Sequence, residues 1–261
     1  MTALRPAAAA GTFYPSDPTD LAAAVDGFIA AASPSSDALP KALIAPHAGY
    51  PYSGLVAGTA YARVHATTIE RVVMFGPAHR WPVAGLALPS STSFETPLGA
   101  VPVDLEAVEQ ACALDGVETV DSAHADEHAL EVHLPFLQRC FSSDFRLVPF
   151  VVGGATQAQV EAVMESLWGG PETLVVVSSD LSHFYDYDTA CRLDADTSSA
   201  IENLAPDQLQ EGGACGRVSI QALLSIATRL GLQAQTVDLR NSGDTAGGRE
   251  EVVGYGAYVI G

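Results

Sequence analysis

Short apolar runs alternate with helical stretches along the whole of this chain. Ala42-Leu43-Ile44-Ala45, Arg71-Val72-Val73-Met74-Phe75, Leu86-Ala87-Leu88, the run 145–152 and Leu174-Val175-Val176-Val177 are largely apolar, several of them rich in valine, and lack polar alternation. They predict strands buried on both faces, because a strand with one wet face alternates instead. Between them, apolar residues recur at helical spacing over 20–32, 55–66, 105–113, 129–140, 157–168 and 192–203. In 218–230 the stripe is clearest, with Ile220, Leu223, Leu224, Ala227 and Leu230 on one face. The last segment, 252–260, alternates like a closing strand, and Ser33-Pro34-Ser35-Ser36-Asp37 is a short polar loop. No repeat, heptad or shift in composition divides the chain. The pattern predicts a single α/β domain over 1–261, built in three layers with a largely parallel central sheet.

Composition narrows the partners. Against 31 acidic residues stand 12 basic ones, only Lys41 being a lysine, for a formal charge of -19. Such a polyanion repels phosphate backbones and anionic headgroups, which argues against nucleic acid and membrane surfaces as partners. No run approaches the roughly 18 apolar residues of a membrane span, and the start of the chain lacks a signal-peptide core. The four cysteines, Cys112, Cys140, Cys191 and Cys215, show no CxxC spacing. That is expected of free thiols in a cytoplasmic protein rather than of a disulfide framework. Buried structural roles are the default for the first three.

The polar residues that follow the strands carry the chemistry. Run 42–45 leads into Pro46-His47-Ala48-Gly49-Tyr50, run 71–75 into Gly76-Pro77-Ala78-His79, and run 174–177 into Ser178-Ser179-Asp180-Leu181-Ser182-His183. Three of the seven histidines thus sit just past the carboxyl ends of core strands, where open α/β sheets bind ligands. Histidine is both a common metal ligand and an acid–base group. His65 and His124 have no comparable placement.

A fourth cluster is Asp126-Glu127-His128-Ala129-Leu130-Glu131-Val132-His133. On a helix His128 and Glu131 share a face, so the carboxylate could orient the imidazole, whereas His128 and His133 lie roughly 140° apart and could not grip one ion. Asp126 and Glu127 suit a helix N-terminus. Cys215 lies in Gly212-Gly213-Ala214-Cys215-Gly216-Arg217, before the 218–230 helix. Helix start and arginine together predict a lowered thiol pKa. No GxSxG elbow or phosphate loop is present.

As a set, Pro46-His47-Ala48-Gly49-Tyr50 with Tyr52-Ser53-Gly54, Gly76-Pro77-Ala78-His79, Thr96-Pro97-Leu98-Gly99, Glu127 to Phe136, Ser178 to His183 and Cys215-Gly216-Arg217 resemble the Memo family. Its bacterial and archaeal members are often called AmmeMemoRadiSam system protein B. The resemblance covers nearly the whole chain and implies a fold like that of the LigB-type class III extradiol dioxygenases. By it, His47, His79 and Cys215 correspond to metal ligands, and His128 and His183 to acid–base or substrate-binding histidines, with Asp180 lining the same pocket. The cofactor it implies is one metal ion, Fe(II) or copper ahead of zinc. The dioxygenases hold Fe(II) with two histidines and a carboxylate; here the third position is Cys215, whose thiolate suits copper or zinc as well as iron.

Four functions follow from these residues. The first is a metal-dependent, dioxygenase-like oxidoreductase acting on an unidentified small molecule. The second is a metal-binding or redox-handling protein without turnover. In the third the pocket binds a partner, for which the resemblance points to AMMECR-like and radical SAM proteins. The fourth is a metallohydrolase with Asp180 or Glu131 as base.

Overall fold

The computed structural model describes residues 4–32, 39–64, 69–141 and 144–261. The loop expected at 33–37, and His65, lie outside them. In chain order the elements are β1 (Leu4–Arg5), α1 (Pro18–Ala30), β2 (Ala42–Ala45), α2 (Tyr50–Tyr61), β3 (Arg71–Pro77), β4 (Leu86–Leu88), β5 (Ser93–Thr96) and β6 (Gly99–Pro102). There follow α3 (Leu105–Cys112), β7 (Val117–Thr119), α4 (Asp121–Ala125), α5 (Leu134–Cys140), β8 (Arg146–Val152), α6 (Gln157–Ser166) and β9 (Thr173–Ser178). The chain ends with β10 (His183–Tyr185), α7 (Tyr187–Glu202), α8 (Arg217–Leu230), β11 (Ala234–Asn241) and β12 (Val252–Ile260).

The main sheet runs β10-β12-β2-β9-β3-β8-β4-β7, with β11 on the other edge of β12. Its middle, β2-β9-β3-β8, is parallel throughout, as uninterrupted apolar runs require. β9 is buried along its whole length. Antiparallel pairing enters where β12 joins β2 and where β4 joins β8. Helices α1, α2 and α5 pack together, with α2 over β2, β11 and β12, while α7 also packs on β11 and β12 and α6 packs on α8. A short separate sheet, β1-β5-β6, ties the start of the chain to the middle.

Capping chemistry sets several boundaries. Asp17 accepts from Thr19 N and Asp20 N ahead of Pro18, so α1 starts where side chain and proline agree. Thr156 and Gln159 form a capping box on α6, and Gly231 closes α8 in the left-handed region at φ 68. Helices α2 and α7 begin five residues before the apolar stripes suggested. Pro51 is accommodated in the first turn of α2, and Asp186 caps α7. The expected helix over 129–140 is the main departure. Residues 129–130 form a turn, Glu131–His133 a 3₁₀ turn, and the α-helix starts only at Leu134. The side chains of the preceding segment are committed to tertiary contacts instead, as the next section shows.

Candidate metal centre

Because β2, β9 and β3 lie side by side and parallel, the turns that leave their carboxyl ends open on to one place. His47 follows β2, Asp180 and His183 follow β9, and His79 follows β3. Cys215 arrives from the loop before α8. A Cβ at Gly216 would stand 2.7 Å from Ser178 O, so glycine there lets the loop press against the end of β9. One nitrogen each of His47 and His79, and Cys215 Sγ, lie within 4.8 Å of one another. Cys215 Sγ is 3.5 Å from His47 Nε2 and accepts from Asp180 N at 3.2 Å.

The tautomers of both imidazoles follow from their partners. Ser178 Oγ donates its one proton to Ala129 O at 2.6 Å, so at 2.7 Å from His47 Nδ1 it can only accept. His47 therefore carries its proton on Nδ1 and presents the Nε2 lone pair toward Cys215. Glu127 Oε1 lies 2.9 Å from His79 Nδ1, which fixes the same tautomer there. Carboxylate and hydroxyl partners of this kind orient metal-ligating histidines. The donor set, two imidazole nitrogens and one thiol, fits a borderline or soft ion such as iron, copper or zinc, and three protein ligands leave coordination positions open.

Around this trio His128 stacks on His79, with ring centroids 4.9 Å apart, and Phe13 stacks on the same imidazole at 4.1 Å. Its Nδ1 is sealed, 3.3 Å from Glu127 Oε1, and makes no hydrogen bond. Burial holds His128 neutral, with a pKa lowered to about 4. His183 donates from Nδ1 to Leu181 O at 2.8 Å, leaving its Nε2 lone pair free. Asp180 accepts from His47 N at 2.8 Å, and burial raises its pKa. All six residues expected at the site are therefore in one neighbourhood.

Three sequence expectations are corrected. Glu131 does not orient His128: its fully buried carboxylate takes Arg5 Nη1, the Tyr14 hydroxyl, and the backbone N–H groups of Ala8 and Ala9, each at 2.8 Å. That leaves it no lone pair for use as a base. Cys215 is not a low-pKa thiol in the metal-free chain: burial, then Asp180, pushes it up to about 12, and Arg217 contacts Gln221 instead. A bound cation reverses that balance, since a coordinating thiol gives up its proton. Cys191 is exposed rather than buried.

Glu127 is the residue that sequence reasoning passed over as a helix-start acid. It is buried and accepts from His79 N, His79 Nδ1, His128 N and Ala129 N. Burial pushes its pKa up, but the bonds from His79 and Ala129 outweigh that and hold it at about 2. Ser178 and Phe13 were passed over as well. The signal available for Glu127 was a histidine as its immediate neighbour and no basic residue nearby to pair with it.

The buried histidines give the metal-free protein an acid-labile profile. Burial lowers His124 and His128 to about 4 and His133 to about 3, against an ordinary value of 6.5. The unfolded chain thus takes up protons below pH 6.5 that the fold refuses. Stability is expected to be full above that pH and to fall from there toward pH 4, by at most about 1.4 kcal/mol per histidine per pH unit. Urea midpoints at pH 7.5 and pH 5 measure this; equal midpoints would contradict it.

Comparison with known proteins finds relatives along nearly the whole chain. The family model described as Memo-like protein matches residues 5–259. A MEMO1 family protein of Ignicoccus hospitalis is 35% identical over 277 aligned residues, covering 97% of each chain. One from Aquifex aeolicus is 34% identical with the same coverage, and one from Thermoplasma volcanium is 31% identical over 98% of each chain. Among the described residues no helix is long and apolar enough to cross a membrane.

Proposed function

The chain belongs to the Memo-like protein family, and from that premise we propose that it is a mononuclear non-haem metal protein with oxidoreductase, dioxygenase-like activity toward a small molecule. His47, His79 and Cys215 hold the ion, iron or copper ahead of zinc. What carries the reading is the convergence of two imidazole nitrogens with fixed tautomers on one half-buried thiol. When bound, a redox-active ion supplies electron transfer and a place for oxygen.

The remaining residues have separable tasks. Ser178 and Glu127 keep the two Nε2 lone pairs aimed at one point. His128, neutral at pH 7, offers a base beside the ligand set, and Phe13 covers its ring on one side and keeps water from that face. His183 Nε2 provides a second acceptor, and Asp180 a carboxyl whose pKa is raised by burial.

Oxygen consumption by the iron- or copper-loaded protein, screened over small phenols, thiols and amines, tests this. We expect at least one compound to raise consumption, and His128→Ala to lower that rate about 100-fold or more while metal stays bound. Metal bound with no compound-dependent consumption would overturn the oxidoreductase reading and leave metal handling.

A further inference from the structure

Strand β12 meets two different neighbours along one edge. It pairs with β2 over 258–260 and with β10 over 252–253. Residues 255–257 lie between and pair with neither of them. Continuing the Tyr258–Ile44 register three residues further brings Tyr255 level with His47. Continuing the Ala45–Ser178 register two residues further brings Asp180 level with His47 from the other side. Gly254 exchanges backbone hydrogen bonds with Leu181 and Ser182, both at 2.8 Å, which fixes this part of β12 against the segment carrying Asp180 and His183.

Side-chain alternation decides which way Tyr255 faces. A Cβ at Gly254 would run into the Asp194 carboxylate of α7, so position 254 faces α7 and position 255 the opposite layer, where α2 carries Tyr52. Tyr255 is only 2% exposed, and a tyrosine this buried ordinarily bonds its hydroxyl to a neighbour. Among the described residues nothing bonds it. Nor is that hydroxyl one of the sealed polar atoms, so it opens on accessible space beside the site. Burial first, then Asp180 and Tyr52, raise its pKa, which keeps the phenol protonated and able to donate.

We propose that the Tyr255 hydroxyl is a substrate-contacting hydrogen-bond donor of this site, and that its ligand is a small oxygenated molecule presenting an oxygen acceptor to it. The inference rests on the reading of the site given under Proposed function. The complementarity is chemical. His183 Nε2 accepts, whereas the protonated Tyr255 phenol donates and can hold an oxygen lone pair.

Formate is the probe, titrated into Co(II)-loaded protein and followed by the visible bands of the ion. Tyr255→Phe keeps the ring and is expected to leave thermal stability and Co(II) affinity unchanged while weakening formate about tenfold, as loss of one hydrogen bond to a charged acceptor requires. Unchanged formate affinity in Tyr255→Phe would overturn the assignment. Failure of the unaltered protein to take up Co(II) would count against the metal-site reading instead. Tyr255 is then decided by a high-resolution crystal structure of the metal-free protein. A hydroxyl bonded to ordered solvent in the site supports the proposal, and one bonded to a protein group overturns it.

Discussion

Glu131→Ala is expected to cost the fold about 3–5 kcal/mol, the penalty for leaving a buried charge without its partner. The side chain is fully buried and takes four donors from a segment more than a hundred residues away: the Arg5 guanidinium, the Tyr14 hydroxyl and two backbone N–H groups. Arg5 itself is 5% exposed and also donates to His124 O and Glu127 O. Its charge then remains buried against two carbonyls and the face of the Phe94 ring, with no carboxylate to pair it. For a chain of this length the loss corresponds to roughly 10 °C in Tm. The double variant Arg5→Met with Glu131→Leu removes both charges and is expected to be less destabilised than Glu131→Ala, because apolar replacement of a whole buried pair is often near neutral. Urea unfolding of both decides it. A loss under 1 kcal/mol in Glu131→Ala would show that the pair does not hold the strap of chain that carries Phe13.

Glu127→Ala is expected to weaken metal binding about 10- to 100-fold without removing a ligand. The carboxylate fixes both the backbone and the ring of His79, whose side chain is 30% exposed and otherwise held by ring contacts with His47 and His128. Losing it frees the tautomer and the ring angle together. Glu127→Gln keeps the shape, but its amide oxygen is a weaker acceptor, so its affinity should fall between the two. Competition with a chelator of known affinity measures all three proteins. Equal affinities would mean that His79 is positioned by something other than Glu127, or does not bind the ion.

The strands and the turn histidines were legible in the chain because each is a local signal. A strand buried on both faces must be continuously apolar, and a polar turn must follow it, so His47, His79 and His183 stand out against the apolar runs before them. Cys215 stood out by the glycines around it, one of which, Gly216, has a packing reason to be there. What supports these residues was not legible. Glu127 reaches His79 across 48 residues, Ser178 links His47 to Ala129, and Arg5 meets Glu131 across 126.

The same limit explains the helix expected over 129–140. Ala-Leu-Glu favours helix on its own, yet the side chains of Glu127 and Glu131 are each satisfied by distant donors, and the backbone between them turns to allow it. Cys215 shows the converse error. A helix start and an arginine argue for a thiolate, but burial dominates once the loop is folded and Arg217 turns away.

Metal content of protein purified without oxygen, measured in parallel with Cys215→Ser, tests the central claim most directly. The account predicts about one iron or copper ion per chain in the unaltered protein, because the second donor group among the described residues, His79, Glu127 and His128, shares His79 with the first, and it predicts loss of that ion in Cys215→Ser. No bound metal, and none taken up on anaerobic reconstitution, would contradict it.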